Sequence, residues 1–283
     1  MSRRVVIVGL GQMGRWFERF FVEHGCSVRG LDAGDWTEAP DHLSVCDLAL
    51  VCVPIAVTEE VIGAIGPHLP RAAVLADITS TKRAPVAAML GAHAGPVLGL
   101  HPMFGPDAAS LRGQTIVSIP AREPGASAWV LDLFRHAGAA ITEATADEHD
   151  RAMIQVQALR HFATLALGAF LAERDGASER SLRFSSPIYR IELSIIQRLL
   201  AQDAALYADI MLASEERRET IAAYAERVAE LAGVVTRGDR AALIGAFEQA
   251  AERSEMDRDR VGTETKLLID TLAEHIAGNT LGP

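Results

Sequence analysis

Residues 5–14 read VVIVGLGQMG. An unbroken β-branched run stops at Gly9, glycines recur at 11 and 14, and an amphipathic stretch, Gly14–Glu23, follows. That order predicts a buried strand, a tight turn and a helix, the local geometry that holds a dinucleotide. Gly9 permits the turn, Gly11 lets the backbone approach a pyrophosphate, and Gly14 lets the helix pack close to the strand. The residues of the turn, Gln12 and Met13, stand at the helix N-terminus, where unpaired N–H groups face an anion. The next run, Ser27–Leu31, is followed by Asp32. An acid there bonds both ribose hydroxyls of NAD and repels the 2′-phosphate of NADP. A third run, Asp47–Val53, ends at Val53-Pro54, which is expected to wall the same crevice at the carboxyl edge of the sheet.

Working outward, further strand-like runs are Ala73–Asp77, Pro96–Leu100, Gln114–Ile119 and Ala139–Glu143, with helical patterns at Thr58–Ile65 and Lys82–Leu90. Strands alternating with helices predict βαβ units and a largely parallel sheet. Their continuous apolar character predicts helices on both faces. After about residue 146 strand-like runs fade, and apolar residues fall at helical spacing: Met153, Val156, Leu159, Phe162, Leu167. The expectation is an α/β Rossmann-type domain over 1–147 and an all-α domain over 148–283, with Asp147 as N-cap of the first helix and Ser185-Ser186-Pro187 opening another.

With 49% hydrophobic and 23% charged residues, the chain reads as a soluble globular protein with a sizeable core. A net charge of −10 argues against nucleic acid or an acidic membrane surface as partner. No run approaches the roughly 20 apolar residues of a membrane span. Cys26, Cys46 and Cys52 form no CxxC pair, which reads as reduced thiols in a cytoplasmic protein, and no metal-ligand spacing is present.

Residues 98–107, LGLHPMFGPD, end an apolar run on His101 and then enter a turn rich in Pro and Gly. A neutral histidine at the cofactor edge of a sheet can accept a hydrogen bond from a substrate hydroxyl as hydride leaves. A packed imidazole capping a turn is the plainer alternative. The neighbouring loop, Asp77–Lys82, offers Ser80, which can bond a hydroxyl or cap a helix, and Lys82, which can hold a carboxylate or orient neighbours. In the helical half, Arg190 and Arg198 lie about two helical turns apart on one face. Two guanidiniums so placed suit a dicarboxylate, unless they pair with Glu192 or Asp203. Gln157 and His161 share a helix face and can line the same pocket.

The stretches VGLGQMG, VCVPIAVTEEVIG, GPVLGLHPMFGPD, QALRHFAT, SSPIYRIEL and RLLAQD…LYADI together resemble the prephenate dehydrogenase family, the TyrA proteins. The likeness is strongest to the dehydrogenase part of the bifunctional chorismate mutase–prephenate dehydrogenases of enteric bacteria, from about Val5 to beyond Ser214. The chain opens on the first strand, so a monofunctional enzyme is expected. The resemblance implies NAD-dependent oxidative decarboxylation of prephenate, a cyclohexadiene dicarboxylate, to 4-hydroxyphenylpyruvate in the tyrosine branch of aromatic amino-acid biosynthesis. It implies that His101 is the catalytic partner of the C4 hydroxyl, that Ser80 contacts the substrate hydroxyl, that Lys82 is linked to substrate, and that Arg190 and Arg198 are the family's two arginines, Arg198 holding a substrate carboxylate. His161 and Tyr207 fall on positions linked to substrate or tyrosine feedback, and the helical half is expected to build a homodimer. A stand-alone chain of this type also resembles antibiotic-pathway relatives that oxidise 4-amino-4-deoxyprephenate to 4-aminophenylpyruvate. A non-catalytic NAD sensor would lack the His101, Ser80, Lys82 and arginine set, and a 3-hydroxyacid-type reductase would carry a Lys where this chain has Arg160-His161.

Overall fold

A computed structural model describes residues 2–35, 38–174 and 179–280. The opening stretch folds as its pattern demands. β1 (Arg4–Val8) is buried from Val5 onward, and α1 (Gln12–Glu23) follows the glycine turn. The chain continues through β2 (Ser27–Leu31), α2 (Ala39–Leu43), β3 (Leu48–Val51), α3 (Thr58–Ile65), β4 (Val74–Asp77), α4 (Arg83–Ala92) and β5 (Val97–Pro102). Then come β6 (Thr115–Arg122), α5 (Pro124–His136), β7 (Ala140–Glu143) and α6 (Ala146–Met153). The seven strands lie in the order β2-β1-β3-β4-β5-β6-β7.

Alternate side chains of each central strand enter two cores. Val6, Val8, Ala49, Val51 and Leu75 face one core, which takes in Ile62, Ile65, Val86 and Met89 of α3 and α4. Val5, Ile7, Leu48, Leu50, Leu98 and Leu100 face the other, with Trp16, Phe17, Phe20 and Phe21 of α1 and Phe134 of α5. Helices on both faces explain why these strands carry unbroken apolar runs rather than alternation. The strand order reverses between β1's two neighbours, β2 and β3, so a crevice opens at their carboxyl ends.

The sheet is largely parallel, as expected, with one antiparallel pairing, and two expectations are corrected. β6 runs antiparallel to β5, because the link between them holds no crossover helix and the chain simply turns back. β5 extends through Pro102, so His101 sits inside the strand, opposite Val117, instead of just past its end. Asp147 is not the N-cap of α6. Thr145 is, in a reciprocal capping box with Glu148, while Asp147 lies in the first turn and pairs with Arg83 at 2.6 Å.

The chain forms two compact units. The first runs to Val156 and takes in Ala208–Ala213; the second comprises Gln157–Tyr207 and the residues from Ser214 onward. The division falls later than the expected break at 147/148 because α6 docks on the first unit through His149 and Asp150. A π turn, Ile154–Leu159, bridges the division and interrupts the regular α register expected there. The second unit is helical: α7 (Arg160–Ala172), α8 (Glu179–Leu182), α9 (Pro187–Leu200), the start of α10 (Ala204–Leu212, which passes into the first unit at Ala208), α11 (Glu215–Thr236), α12 (Arg240–Arg253) and α13 (Arg258–Thr280). Ser186 caps α9 with Pro187 in its first turn, as its sequence predicts. Gly168 lets α7 approach α9, since a Cβ there would lie 2.7 Å from Ile196 Cγ2.

Candidate active site

The glycine turn separates two kinds of constraint. Gly9 holds φ at +98°, a left-handed conformation that favours glycine. A Cβ on Gly14 would lie 1.9 Å from the Gly9 carbonyl oxygen, so packing alone demands glycine there. At Gly11 a Cβ would meet nothing within 4 Å. The fold does not require that glycine, whereas a pyrophosphate lying against the helix N-terminus would. Gln12 and Met13 form the first turn of α1 beside it. A cavity of about 320 Å³ opens along the same edge, lined by Gly9, Asp32, Val53 and Pro54 among others. Asp32 is exposed just past the end of β2, its Oδ1 accepting the adjacent Ala33 N–H at 3.0 Å. These residues fit an adenine dinucleotide whose ribose meets an acidic side chain.

β1, β3, β4 and β5 are parallel, so their carboxyl ends share one edge of the sheet. His101, 3% exposed, lies at that end of β5. On this face of the sheet stands a connected polar network. His101 Nδ1 lies 2.7 Å from His149 Nε2, and His149 Nδ1 lies 2.7 Å from Asp150 Oδ1. Asp150 also accepts the backbone N–H groups of Lys82 at 2.8 Å and Arg83 at 3.0 Å. It therefore caps α4 from a helix far away in sequence, and Ser80 is not that cap. Burial pushes the Asp150 carboxyl up, but the hydrogen bonds from His149, Arg83 and Lys82 outweigh it and hold the group below its usual range.

Lys82 is fully buried, which was not expected of a residue meeting substrate. Its Nζ donates to Asp77 and to the carbonyl of Leu100 at 2.8 Å, the residue just before His101. Asp77 Oδ2 also accepts from the Thr79 N–H at 3.0 Å and from the Thr79 hydroxyl. Desolvation pulls the Lys82 ammonium below its ordinary range, and Asp77 opposes it. Gly99 leaves room for the lysine stem: a Cβ there would stand 3.2 Å from Lys82 Cδ and 3.0 Å from Val86, so these neighbours would have to shift slightly. Ser80 is half-buried in the loop between Asp77 and Lys82.

The helical unit holds the remaining candidates. Arg190 donates to Ser185 Oγ and to the Leu182 carbonyl, each at 3.0 Å, and so ties down the start of its own helix. Arg198 is exposed on the following turns of α9. His161 is buried and meets the Tyr207 ring edge-on at 4.7 Å between centroids. Burial, helped by Arg160, brings the His161 imidazole down to about 4. Gln157 is half-buried in the π turn.

Sequence reasoning missed His149 and Asp150. The signal was the run Asp147-Glu148-His149-Asp150-Arg151, five titratable residues in a row at the supposed domain boundary. No metal-ligating cluster occurs among the described residues, and no described helix is long and apolar enough to cross a membrane.

Two family models match the chain: prephenate dehydrogenase, nucleotide-binding domain, over residues 23–143, and prephenate dehydrogenase, dimerization domain, over 145–249. The T-protein of Enterobacter agglomerans is 45% identical over 251 residues, covering 88% of this chain and 67% of that protein. The T-protein of Haemophilus influenzae is 41% identical over 248 residues, covering 88% and 66%. The chain thus spans about two thirds of the length of these relatives. Among solved structures, prephenate dehydrogenase from A. aeolicus in complex with hydroxyphenyl propionate and NAD+ superposes with a TM-score of 0.70. That match has 18% identity, covers 91% of this chain and 99% of that one, and is a likeness of fold. A nucleotide-binding unit whose glycine turn leaves room for a pyrophosphate, followed by a helical unit, places the chain in the prephenate dehydrogenase family of NAD-dependent oxidoreductases.

Proposed function

We propose that the chain oxidatively decarboxylates prephenate to 4-hydroxyphenylpyruvate and CO2, with NAD as the hydride acceptor. The observation that carries this reading is the position of His101, buried at the same sheet edge as the glycine turn and Val53-Pro54. When bound, NAD takes the hydride from C4 of the ring. His101 accepts the hydrogen bond of the C4 hydroxyl as the C–O bond shortens, and leaves the proton with the phenol oxygen once the ring is aromatic. The C1 carboxylate departs as CO2, so the two electrons of the broken C1–carboxylate bond enter the ring as the hydride pair leaves it. Gly9, Gly11, Gln12, Met13 and Gly14 hold the pyrophosphate, and Asp32 holds the adenosine ribose. Ser80 bonds the substrate hydroxyl. Lys82 acts through Asp77 and the Leu100 carbonyl, steadying the strand end that carries His101, the second of the two roles its position allows. Arg198, with Arg190, Gln157, His161 and Tyr207, is the candidate set for the substrate's carboxylates, on the strength of the family resemblance.

The helical unit also joins a second copy of the chain in a homodimer. Phe170, Ile188, Ile195 and Val228 are exposed around an apolar cavity of about 890 Å³, inside the region matched by the dimerization-domain model.

NADH formation measured with prephenate, arogenate and 4-amino-4-deoxyprephenate at equal concentration tests the substrate. Prephenate is expected to be turned over fastest, and equal low rates on all three would overturn the reading. His101→Asn is expected to lower kcat by about 10²–10⁴-fold while NAD still binds.

A further inference from the structure

We propose that His149 and Asp150 are positioning residues that fix the proton of His101 on Nδ1 and so make its Nε2 the acceptor. The inference rests on the reading of His101 as partner of the substrate hydroxyl and assigns its chemical state. The argument is one of donors and acceptors. Asp150 receives two backbone N–H groups, which a carboxylate can only accept. His149 Nδ1, 2.7 Å from the same carboxylate, must therefore carry a hydrogen. A neutral imidazole with its proton on Nδ1 has a lone pair on Nε2. That lone pair faces His101 Nδ1 at 2.7 Å, so His101 Nδ1 donates and the lone pair of its own ring is left on Nε2. In water a free imidazole side chain favours the opposite tautomer, so the chain imposes the form that a proton-accepting Nε2 needs. Both rings are buried, His101 at 3% and His149 at 2% exposure, which keeps water from competing for either bond.

The arrangement follows the logic of a catalytic triad, in which an acid holds an imidazole in one tautomer, with a second imidazole inserted between them. One competing arrangement exists. A His149 imidazolium would donate from both nitrogens, reverse the bond to His101 and place the His101 proton on Nε2. The titratable groups around the pair are Asp150 on the same helix as His149, Asp77 and Lys82 from β4 and its following loop, and the Arg83–Asp147 ion pair. Asp150 is held in its charged form by the hydrogen bonds it accepts, which favours a hydrogen on His149 Nδ1 without requiring one on Nε2.

The test is two-bond ¹H–¹⁵N correlation of ¹⁵N-histidine-labelled full-length protein near pH 7.5, with the His101 signals identified by their loss in His101→Asn. The expected result is a His101 that carries its proton on Nδ1. A proton on Nε2 in the wild-type protein overturns the proposal without any variant having to fold. In His149→Phe, which keeps a ring but removes the acceptor, His101 is expected to shift toward the Nε2 tautomer. Its kcat is expected to fall about 10–100-fold, with both KM values changing by less than about threefold. His149→Gln supplies an amide oxygen as acceptor and is expected to recover part of the loss. Unchanged kcat in His149→Phe, or equal losses in Phe and Gln variants, would overturn the proposal. Full turnover in His101→Asn would instead sink the functional reading, while the tautomer measurement would still stand or fall on its own.

Discussion

In the nucleotide-binding unit a set of buried charged and polar groups pairs within itself, whereas in the helical unit large apolar side chains stay open to water. His101, His149, Asp150, Lys82 and Asp77 form one connected set inside the first unit. Phe170 is 53% exposed, Ile188 56% and Val228 46% in the second. The difference separates two kinds of order: charged groups of the first unit are paired inside it, while apolar side chains of the second lie exposed around a cavity.

The contrast can be broken hardest at the glycine turn. Gly14→Ala is expected to destabilise the protein by more than about 4 kcal/mol, because its Cβ would press on the Gly9 carbonyl with no flexible group to yield. Gly11→Ala, with open space around it, is expected to keep stability within about 1 kcal/mol and weaken NAD binding instead. Denaturant unfolding alongside NAD titration distinguishes the two, and equal stability losses would refute the division drawn between them. Next comes the buried ion pair. Lys82→Met is expected to cost about 3–5 kcal/mol in denaturant unfolding, since it strands the Asp77 charge, and Lys82→Met with Asp77→Leu should recover much of that. A double variant as unstable as the single one would show that the lysine matters through packing. The gentlest change tests the helical unit. Val228→Asp is expected to leave the melting temperature of the nucleotide-binding unit in place and weaken self-association by about 30-fold or more in sedimentation equilibrium. A dimer unaffected by it would move the interface elsewhere.

Much of the first unit was legible from sequence, for a physical reason. Strands buried on both faces carry unbroken apolar runs, so β1 (Arg4–Val8), buried from Val5 onward, stood out from its surroundings. Strand direction leaves no such trace. The reversal at β6 depends on what the connecting segment lacks, and apolar pattern is silent on that. Candidate residues divided along the same line. His101 stood out because a polar group interrupts an apolar run, and Asp32 because it follows a strand. His149 and Asp150 did not, because their partners are remote in sequence and their neighbours are ordinary surface residues of a helix start. Lys82 was legible as important but not as buried, since its partners Asp77 and the Leu100 carbonyl lie on two different strands.

Asp150 caps one helix with the same carboxylate that holds His149. A fragment cut at the apparent end of the last strand, Ala140–Glu143, would retain every strand and the whole cofactor crevice. It would also discard the two residues that set the state of His101 and leave the start of Arg83–Ala92 uncapped. A minimal nucleotide-binding module for engineering must therefore carry one helix more than its sheet suggests, through Met153, or it will hold cofactor beside a histidine of unassigned tautomer.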